Sequence, residues 1–426
     1  MTLTPVSVIV VSRGRPQALA RCLRGIAGLA HRRFEVIVVA DPAGLSALAP
    51  WRDRIRTIAF DRPNISAARN LGLAAAAGDI VAFLDDDAVP EPLWLSRLTD
   101  PFGDAAVGAA GGFVIGRNGI SLQWGASLID RLGKRLPIDM PPDQSPLIRR
   151  AEPGFGVKTE GTNMAFRRDV LARIGGFDER FAFYLDEGDV NLRLGALGIA
   201  TAIVPLAQVH HGFAPSDRRR ADRVPRDLTE IGASLAVFLA KHGTDPALRL
   251  APETEAQRRR LLSHMVAGRI EPRDVGALLA TFRAGWSEGL ARAQTADAQT
   301  ADAQTADAGT GRGVTGPAPP FLPFLADPPG TGRHTVLAGR SWQARRLDRT
   351  ARKLAAEGGT VTLLLLSPTA LFHRAGFTPG GYWLQRGGLF GRSLRSDPLV
   401  RAWRFGQRIA RETARIAPVR GEVATP

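Results

Sequence analysis

Apolar runs alternate with more polar segments along the first half of the chain. Two of the polar segments, "PQALARCLRGIAGL" and "NISAARNLGLAAAAGD", are compatible with helices, and Asn64 or Ser66 is suited to cap the second, with Gly78 as the residue that ends it. Strands that are apolar on both faces and alternate with helices indicate an α/β fold with a parallel sheet covered on both sides. The runs that predict strands are "VSVIVV", "FEVIVVADP", "RIRTIAFD" and "IVAFLDDD".

The pattern changes after about residue 215, where helical segments replace the strands. Three repeats, "AQTADAQTADAQTAD", and a Gly- and Pro-rich stretch then predict a flexible linker, because such residues cannot bury a core. A strand–helix–strand unit and a basic end follow. We therefore expect an α/β domain at 1–217, a helical extension at 218–292, the linker at 293–320 and a small basic α/β region at 321–426.

Composition restricts the class of protein. Of 426 residues, 44% are hydrophobic, as in ordinary globular proteins. A single cysteine, Cys22, excludes an intramolecular disulfide or a cysteine-built zinc site and fits a reducing compartment. The first residues do not resemble a signal peptide, and no apolar stretch reaches the ~20 residues that a spanning helix needs. We expect a cytoplasmic protein without a transmembrane helix.

The net charge of +15 is concentrated near the end of the chain, where residues 310–426 carry 18 Lys and Arg against 6 Asp and Glu. A basic surface suits anionic substrates, membrane headgroups or nucleic acid. No nucleic acid is expected, because the segment lacks the patterns of nucleic-acid binding domains. In "DPLVRAWRFGQRIARETARI" a helix would place Leu399 and Trp403 on an apolar face ringed by arginines. That pattern predicts either peripheral attachment to an anionic membrane or docking of the helix on the preceding unit.

Three consecutive carboxylates, Asp85, Asp86 and Asp87, end one of the apolar strands. Alternation along a strand puts Asp85 and Asp87 on one side and Asp86 on the other. Such a pair can hold a hard divalent cation together with phosphate oxygens. The alternative interpretation is a solvated turn that leads into "AVPEP".

Several motifs in the first half of the chain occur in an order typical of one enzyme family. The motifs are "SVIVVSRGR", "VADPA", "NISAARNLGLAAAAGDIVAFLDDD", "GTNMAFRRDVLARIGGFDERF", "DEGDVNLRLGALG" and "VPLAQVHHG". Together they resemble the catalytic domain of the family-2 glycosyltransferases, which has the GT-A fold, a mostly parallel sheet flanked by helices. The resemblance extends over residues 6 to about 215.

The resemblance implies a nucleotide-sugar donor and a bound cation. The cation would neutralise the diphosphate leaving group. Carboxylate and imidazole ligands suit Mn²⁺ somewhat better than Mg²⁺. The implied metal ligands are Asp85, Asp87 and His211. The implied donor contacts are Ser12, Arg13, Asp41, Arg69, Asp85 and Asp86.

On the acceptor side, the resemblance implies a base that removes the proton of the attacking hydroxyl, with inversion at the anomeric carbon. By register Glu187 occupies the position of that base, and Asp186 is the alternative. An acidic first turn is also an ordinary complement to a helix dipole. The segment around Gly161, Thr162 and Asn163 is expected to border the acceptor. Asp189, four residues before Arg193, is expected to form an ion pair that orients the base.

The leading hypothesis is an inverting glycosyltransferase that modifies a saccharide or lipid-linked acceptor in bacterial surface polysaccharide or glycoconjugate synthesis. Two alternatives remain open at this point. A nucleotidyltransferase that makes nucleotide sugars also uses aspartates at strand ends, but it needs a Gly-rich basic loop after the first strand, of which "SRGRP" is a faint version. A non-catalytic basic binding protein with a degenerate domain is the second alternative.

Overall fold

A computed structural model describes residues 4–305, 319–326 and 332–423. The strands of the first half are β1 (Val6–Ser12), β2 (Phe34–Ala40), β3 (Arg56–Ala59), β4 (Ile80–Asp85), β5 (Ala88–Pro90), β6 (Val107–Ile115), β7 (Leu122–Trp124), β8 (Ser127–Asp130), β9 (Arg135–Pro137), β10 (Leu147–Arg149), β11 (Phe155–Val157), β12 (Met164–Arg167) and β13 (Ala200–His211). The helices up to residue 305 are α1 (Pro16–Ala27), α2 (Pro42–Ser46), α3 (Ile65–Ala74), α4 (Trp94–Thr99), α5 (Arg168–Arg173), α6 (Asp186–Ala196), α7 (Thr229–Lys241), α8 (Pro246–Val266) and α9 (Pro272–Thr305).

The main sheet follows the order β10–β13–β6–β12–β4–β1–β2–β3. Strands β4, β1, β2 and β3 are parallel, β12 runs antiparallel between β4 and β6, and β6 pairs parallel with β13. Every residue of β1 and β2 is buried, because α1 packs on one face of the sheet and α3 on the other. The α/β fold with a helix-flanked sheet, predicted from the alternating pattern, is confirmed.

Helix α3 begins as predicted but ends earlier. Asn64 Oδ1 accepts a hydrogen bond from the Ala67 amide (2.9 Å), the geometry of an N-cap. The helix ends at Ala74, so the prediction that Gly78 ends it is wrong. Gly78 lies against β1, where a Cβ atom would come within 2.6 Å of the Ser7 amide nitrogen. Glycine is required there because the two backbones approach too closely for a side chain.

Helices α7, α8 and α9 form the predicted helical extension. Helix α7 packs closely on α9, where a Cβ atom on Gly285 would come within 1.9 Å of the Thr229 carbonyl oxygen. The aromatic rings of Phe282 and Trp286 fill the core of this extension. Helix α9 continues past the predicted boundary at 292 into the "AQTAD" repeats. Residues 306–318 of the predicted linker lie outside the described residues.

The predicted strand–helix–strand unit is present near the end of the chain. Its sheet has the order β14–β15–β17–β16, and α10 packs on β15 and β14. Among the described residues, no helix is both long and apolar enough to cross a bilayer. The elements are β14 (His334–Arg340), α10 (Ala344–Ala356), β15 (Thr360–Ser367), β16 (Arg374–Phe377), β17 (Trp383–Gly388) and α11 (Phe405–Arg420).

The last helix differs from the amphipathic helix predicted for the basic end. Helix α11 begins at Phe405, so Leu399 and Trp403 precede it and form no helical face. The buried side of α11 instead carries Arg408, Glu412, Ile416, Val419 and Arg420. Helix docking, the second of the two predicted possibilities, describes α11, although the docked face is not the one expected. Burial of this face is possible because its arginines meet carboxylates.

A buried ion pair attaches the C-terminal unit to the α/β domain. Arg420 donates from Nε and Nη2 to the two carboxylate oxygens of Glu91, both at 2.8 Å. His210 Nε2 lies 2.7 Å from Glu91 Oε1, and the Arg420 guanidinium lies 4.3 Å from the centre of the Trp383 ring. Burial alone would raise the pKa of Glu91, but Arg420 outweighs it and lowers the pKa to about 2. The two units are therefore joined by an ion pair whose loss would leave a buried charge without its partner.

Loss of this ion pair should destabilise the whole chain. We expect Arg420→Ala to lower the free energy of unfolding by about 3–5 kcal/mol, because it leaves the Glu91 carboxylate buried without its cation. Urea denaturation measures the change. The matched control is Arg258→Ala, which breaks an exposed ion pair with Glu255 and should leave the free energy nearly unchanged.

The same ion pair predicts a pH dependence. A folded pKa near 2 for Glu91, below its ordinary 4.5, means that the stabilisation is complete above pH 4.5 and is lost as the pH falls toward 2. The effect of Arg420→Ala should therefore shrink over that range. An effect that stayed constant from pH 6 to pH 2 would contradict this assignment.

Candidate active site

Polar side chains meet at the carboxyl edge of the main sheet, where parallel α/β sheets bind ligands. Strand β1 ends at Ser12, β4 ends at Asp85 and β13 ends at His211. Asp41 directly follows β2. The topology thus brings together four of the sequence motifs, which are up to 200 residues apart in the chain.

Asp86 separates from Asp85 and Asp87, as predicted, although β4 ends at Asp85 and the next two residues form a turn instead of continuing the strand. Asp86 points toward β1, where Ser12 Oγ donates to Asp86 Oδ2 (2.6 Å) and Arg15 Nη2 lies 2.7 Å from Oδ1. Asp86 is fully buried, and burial raises its pKa, with Arg15 opposing. Asp86 therefore holds Ser12 and Arg15 in place beneath the edge of the sheet. A solvated turn is excluded, because Asp86 and Asp87 are buried.

Asp85, Asp87 and His211 form a group in which one ligand atom from each lies within 4.8 Å of the others. Asp87 Oδ2 accepts a hydrogen bond from the Ala214 amide (2.7 Å). Asp87 Oδ1 is buried and accepts no hydrogen bond within the described residues, although His211 Nε2 is 3.2 Å away. Burial would raise the pKa of Asp87, but His211 and Arg15 lower it, so Asp87 is ionised at neutral pH.

The position of His211 Nδ1 is compatible with metal binding by Nε2. Nδ1 of His211 lies 3.3 Å from Gln123 Oε1. In the tautomer that donates to Gln123, Nε2 directs its lone pair toward Asp87, as in metal-binding histidines whose other nitrogen is hydrogen-bonded. Two oxygen ligands and one nitrogen ligand that face one another fit a divalent cation such as Mn²⁺ or Mg²⁺.

Arginines surround the Asp–Asp–His group. Arg15 Nη1 lies 3.5 Å and Arg219 Nη2 3.9 Å from Asp87 Oδ2, and Arg21 donates to the Asp87 carbonyl oxygen (3.4 Å). Burial lowers the pKa of Arg219. Guanidinium groups beside a cation site are suited to phosphate oxygens. The sequence analysis did not single out Arg15, Arg21 or Arg219.

Two of the predicted donor contacts have other partners in this structure. Arg13 is exposed at the rim and pairs with Asp61 (3.1 Å) and Asp217 (3.6 Å). Asp41 caps helix α2, where its Oδ1 accepts from the Gly44 amide (3.3 Å). Both residues lie at the predicted edge, but their side chains are engaged locally.

Arg69 connects the cation group to the predicted base. Its guanidinium is buried, forms a short ion pair with Asp186, and lies 3.5 Å from Asp85 Oδ1. It also donates to the Gly161 carbonyl oxygen (3.1 Å). A Cβ atom on Gly161 would come within 2.7 Å of Arg69 Nη2, so a side chain at that position would displace the guanidinium. Arg69 is thus a bridge between carboxylates in this structure.

Glu187 lies at the start of helix α6, beside Asp186. Tyr184 and Leu185, immediately before it, have φ of 79° and 63°, a left-handed conformation that costs a non-glycine residue energy and is concentrated at functional sites. Lys158 Nζ lies 2.5 Å from Glu187 Oε1. Burial would raise the pKa of Glu187, but Lys158 outweighs it and lowers the pKa. The side chain of Glu187 is 18% exposed against 5% for Asp186.

Asn163 points away from the cleft. It accepts from Trp94 Nε1 (2.7 Å) and donates to the Ala207 carbonyl oxygen (2.8 Å), which ties α4 to β13. Thr162 Oγ1 is buried and has no hydrogen-bond partner among the described residues. Thr162 is therefore the member of this segment with a free polar atom.

Asp189 is turned toward helix α7. It pairs with Arg193 (2.6 Å), as predicted, and with Lys241 (2.8 Å) and His242 (3.1 Å). Burial would raise its pKa, but these partners lower it. Asp189 thus fixes α6 on the helical extension and does not face the acceptor cleft.

Comparison with known proteins finds a family that matches part of the chain. The model of the family described as glycosyl transferase family 2 matches residues 7–175. This part of the chain is therefore similar to glycosyl transferase family 2. The match ends before Asp186, Glu187 and His211, so the positions of these three residues rest on the geometry described above.

Individual relatives share part of the chain. The O-antigen biosynthesis protein RfbC of Myxococcus xanthus is 28% identical over 234 residues, which is 52% of this chain and 18% of that protein. The glucosyl-dolichyl phosphate glucuronosyltransferase of Haloferax volcanii is 34% identical over 120 residues, 27% of this chain and 34% of that protein. The chain thus spans less than two thirds of the length of these relatives.

Solved structures resemble the chain weakly. The mannosyltransferase PcManGT from Pyrobaculum calidifontis, solved in complex with GDP-Man and Mn²⁺, is 18% identical. It covers 73% of this chain and 78% of its own, with a TM-score of 0.39.

A cluster of charged side chains beside the predicted base was not predicted from the sequence. Lys158 lies 3.8 Å from Glu160 as well as next to Glu187, and Glu160 forms a short ion pair with Arg135. Burial raises the pKa of Glu160, with Lys158 and Arg135 opposing. Charged residues at alternate positions just before Gly161, in the otherwise apolar "GFGVKTEGTNMAF", were the signal that could have indicated this cluster.

The group formed by Asp85, Asp87 and His211 should bind Mn²⁺. We expect calorimetric titration to show saturable binding, and Asp87→Asn to weaken it at least about tenfold, because even residues that only support a metal ligand cost 10–100-fold. Asn keeps an oxygen for the Ala214 amide, and thermal melting tests whether the variant folds. The control is Asp53→Asn, an exposed aspartate outside the cleft. Equal Mn²⁺ affinity in wild type and Asp87→Asn would contradict the assignment.

Proposed function

We propose that this chain is an inverting glycosyltransferase that moves a sugar from a nucleoside-diphosphate sugar to a hydroxyl acceptor. The observation that carries the proposal is the Arg69 bridge, which joins a cation-binding group to a pair of acidic residues at the carboxyl edge of a family-2 sheet. Leaving-group stabilisation and proton removal are the two tasks of such a transfer, and the two halves of the site match them.

On the donor side, Asp85, Asp87 and His211 would hold a divalent cation, Mn²⁺ or Mg²⁺, which when bound supplies Lewis-acid stabilisation of the diphosphate charge. Arg15 and Arg219 add positive charge beside the same position. Ser12 and Asp86 keep Arg15 in place. Trp124, whose ring lies 5.5 Å from that of His211, borders the donor region.

On the acceptor side, Glu187 acts as the general base. The acceptor oxygen attacks the anomeric carbon, the bond from that carbon to the diphosphate oxygen breaks, and the hydroxyl proton passes to Glu187. Lys158 keeps Glu187 in the carboxylate form that a base requires. Asp186 is the alternative base. Each of the two carboxylates has a cationic partner, but the side chain of Asp186 is the less exposed of the two. A single displacement of this kind inverts the anomeric centre.

For the acceptor we propose a saccharide or lipid-linked saccharide in bacterial surface polysaccharide or glycoconjugate synthesis. The proposal is supported by the similarity to a protein named for O-antigen biosynthesis. The proposal does not include attachment to an anionic membrane through the basic end of the chain. Arg408 and Arg415 share the carboxylate of Glu412, and Arg411 pairs with Asp397, so two carboxylates offset most of the charge of these three arginines.

The direct test is a panel of UDP-, GDP- and dTDP-sugars incubated with the protein and Mn²⁺, with and without saccharide acceptors. Release of a nucleoside diphosphate that depends on Mn²⁺ and increases with acceptor is the expected result. Release of pyrophosphate from a nucleoside triphosphate and a sugar phosphate would instead indicate the nucleotidyltransferase alternative. Failure with every donor, while nucleic acid binds with a steep salt dependence, would favour the non-catalytic alternative.

Substitution of Glu187 tests its role as the base separately from that of Asp186. We expect Glu187→Gln to lower the transfer rate by about 10²–10⁴-fold, the usual contribution of a positioned base, while the donor Kd stays within about twofold. Glu152→Gln, an exposed glutamate, is the control and should transfer normally. If Asp186→Asn is the inactive variant and Glu187→Gln is nearly normal, the base is Asp186 and this assignment is wrong.

A further inference from the structure

The C-terminal unit contains an open groove that the family-2 domain does not explain. Its volume is about 1000 Å³, and it lies over β16, β17 and the start of α10. The groove is comparable in size to the larger small-molecule sites of proteins. Leu371 and Phe372 are 65% and 56% exposed at this groove. Its apolar walls are formed by Leu365, Leu371, Phe372, Phe377 and Leu384.

Two arginines in this groove face each other without a partner. Arg374 on β16 pairs in register with Arg386 on β17, so their side chains lie on the same face of the sheet. Both line the groove, both are exposed, and neither forms a side-chain hydrogen bond or ion pair with the described residues. Like charges at directly opposed positions destabilise an antiparallel pair. A bound anion would remove that repulsion.

The nearby carboxylate of Asp348 does not supply this anion. The charge of Arg386 reaches Asp348, but that carboxylate already accepts hydrogen bonds from Arg352 and Tyr382. Two guanidinium forks side by side match the oxygens of a phosphate. The residues that line the groove include no Asp, Glu, Asn or Gln, the side chains that would read the polar edge of a nucleobase. The apolar remainder of the groove therefore suits a hydrocarbon chain.

The groove also adjoins the candidate active site. Ala375, Gly376 and Phe377 of β16 line a second cavity of about 160 Å³, whose other walls include His211 and Arg21. The Ala375 amide donates to the Asn118 carbonyl oxygen (2.8 Å), which fixes β16 against the loop after β6. One strand thus forms a wall of both cavities.

We propose that this groove binds a single alkyl phosphate molecule, with the phosphate on Arg374 and Arg386 and the hydrocarbon chain along Leu365, Phe377 and Leu384. The binding site stands on the groove and the arginine pair alone. That the alkyl phosphate is the lipid part of a lipid-linked acceptor, whose saccharide hydroxyl attacks the donor, rests on the proposed function. The strand shared with the cavity beside His211 supports this role.

Calorimetric titration of the full chain with octyl phosphate, below its micelle concentration and without any donor, tests the site. We expect one molecule per chain, with octanol and inorganic phosphate each at least tenfold weaker. The double variant Arg374→Ala/Arg386→Ala should weaken octyl phosphate at least tenfold without lowering the Tm, since it removes a repulsion. Arg345→Ala/Arg349→Ala removes two exposed arginines of α10 outside the groove and should bind as wild type does.

Three results would overturn the site: equal binding of inorganic phosphate and octyl phosphate, unchanged binding in the Arg374/Arg386 variant, or binding to phosphatidic acid vesicles without binding of monomeric octyl phosphate. The last of these would mean a membrane surface and not a groove ligand. Because the titration contains no donor, a negative result in the nucleotide-sugar panel does not change how the octyl phosphate result is interpreted. If binding is confirmed but octyl phosphate does not compete with the acceptor in the transfer reaction, the groove site stands and its role as acceptor site is wrong.

Discussion

Charge balance among buried carboxylates at one edge of the main sheet is the constraint on which the site depends. Asp85, Asp87 and Asp186 lie close together there, and buried carboxylates are costly unless cations compensate them. Arg69 compensates two of them at once, because its guanidinium reaches both Asp85 and Asp186. A divalent cation would balance the remaining negative charge of Asp85 and Asp87 and would accept the lone pair of His211. The same guanidinium therefore sets the separation between the proposed donor and acceptor halves.

The acceptor half is arranged by the same rule. Lys158 neutralises Glu187, and Arg135 neutralises Glu160 beside it. Asp189, two residues after Glu187 in the same helix, is fully buried and anchors α6 to α7 through Lys241. The helical extension is thus a support for the proposed base, because α6 cannot move without breaking that buried pair. Among the three helices of the extension, α7 makes this contact with α6, and α8 and α9 pack on α7 and on each other.

The C-terminal unit is joined to the site from the other side. Arg420 holds Glu91, Glu91 holds His210, and His210 precedes the proposed metal ligand His211 in β13. Strand β16 forms a further wall near His211. A unit that the sequence presents as separate beyond a linker is therefore attached by a buried ion pair, and its groove opens beside the proposed reaction. Of the arginines that suggested a membrane surface, Arg408, Arg411 and Arg415 pair with carboxylates inside the C-terminal unit.

The sequence by itself determined the α/β class and narrowed the N-cap of α3 to Asn64 or Ser66, because hydrophobic alternation and capping act over a few residues. It also predicted that Asp85 and Asp87 would lie apart from Asp86. Only the tertiary structure decided the partners of these groups. Arg69 and Asp186 are far apart in the chain, as are Glu91 and Arg420, and local pattern contains no information on pairs that the topology brings together. The predictions that failed did so for this reason: the fate of Gly78 was set by the approach of β1, and the buried face of α11 was set by the carboxylates it meets.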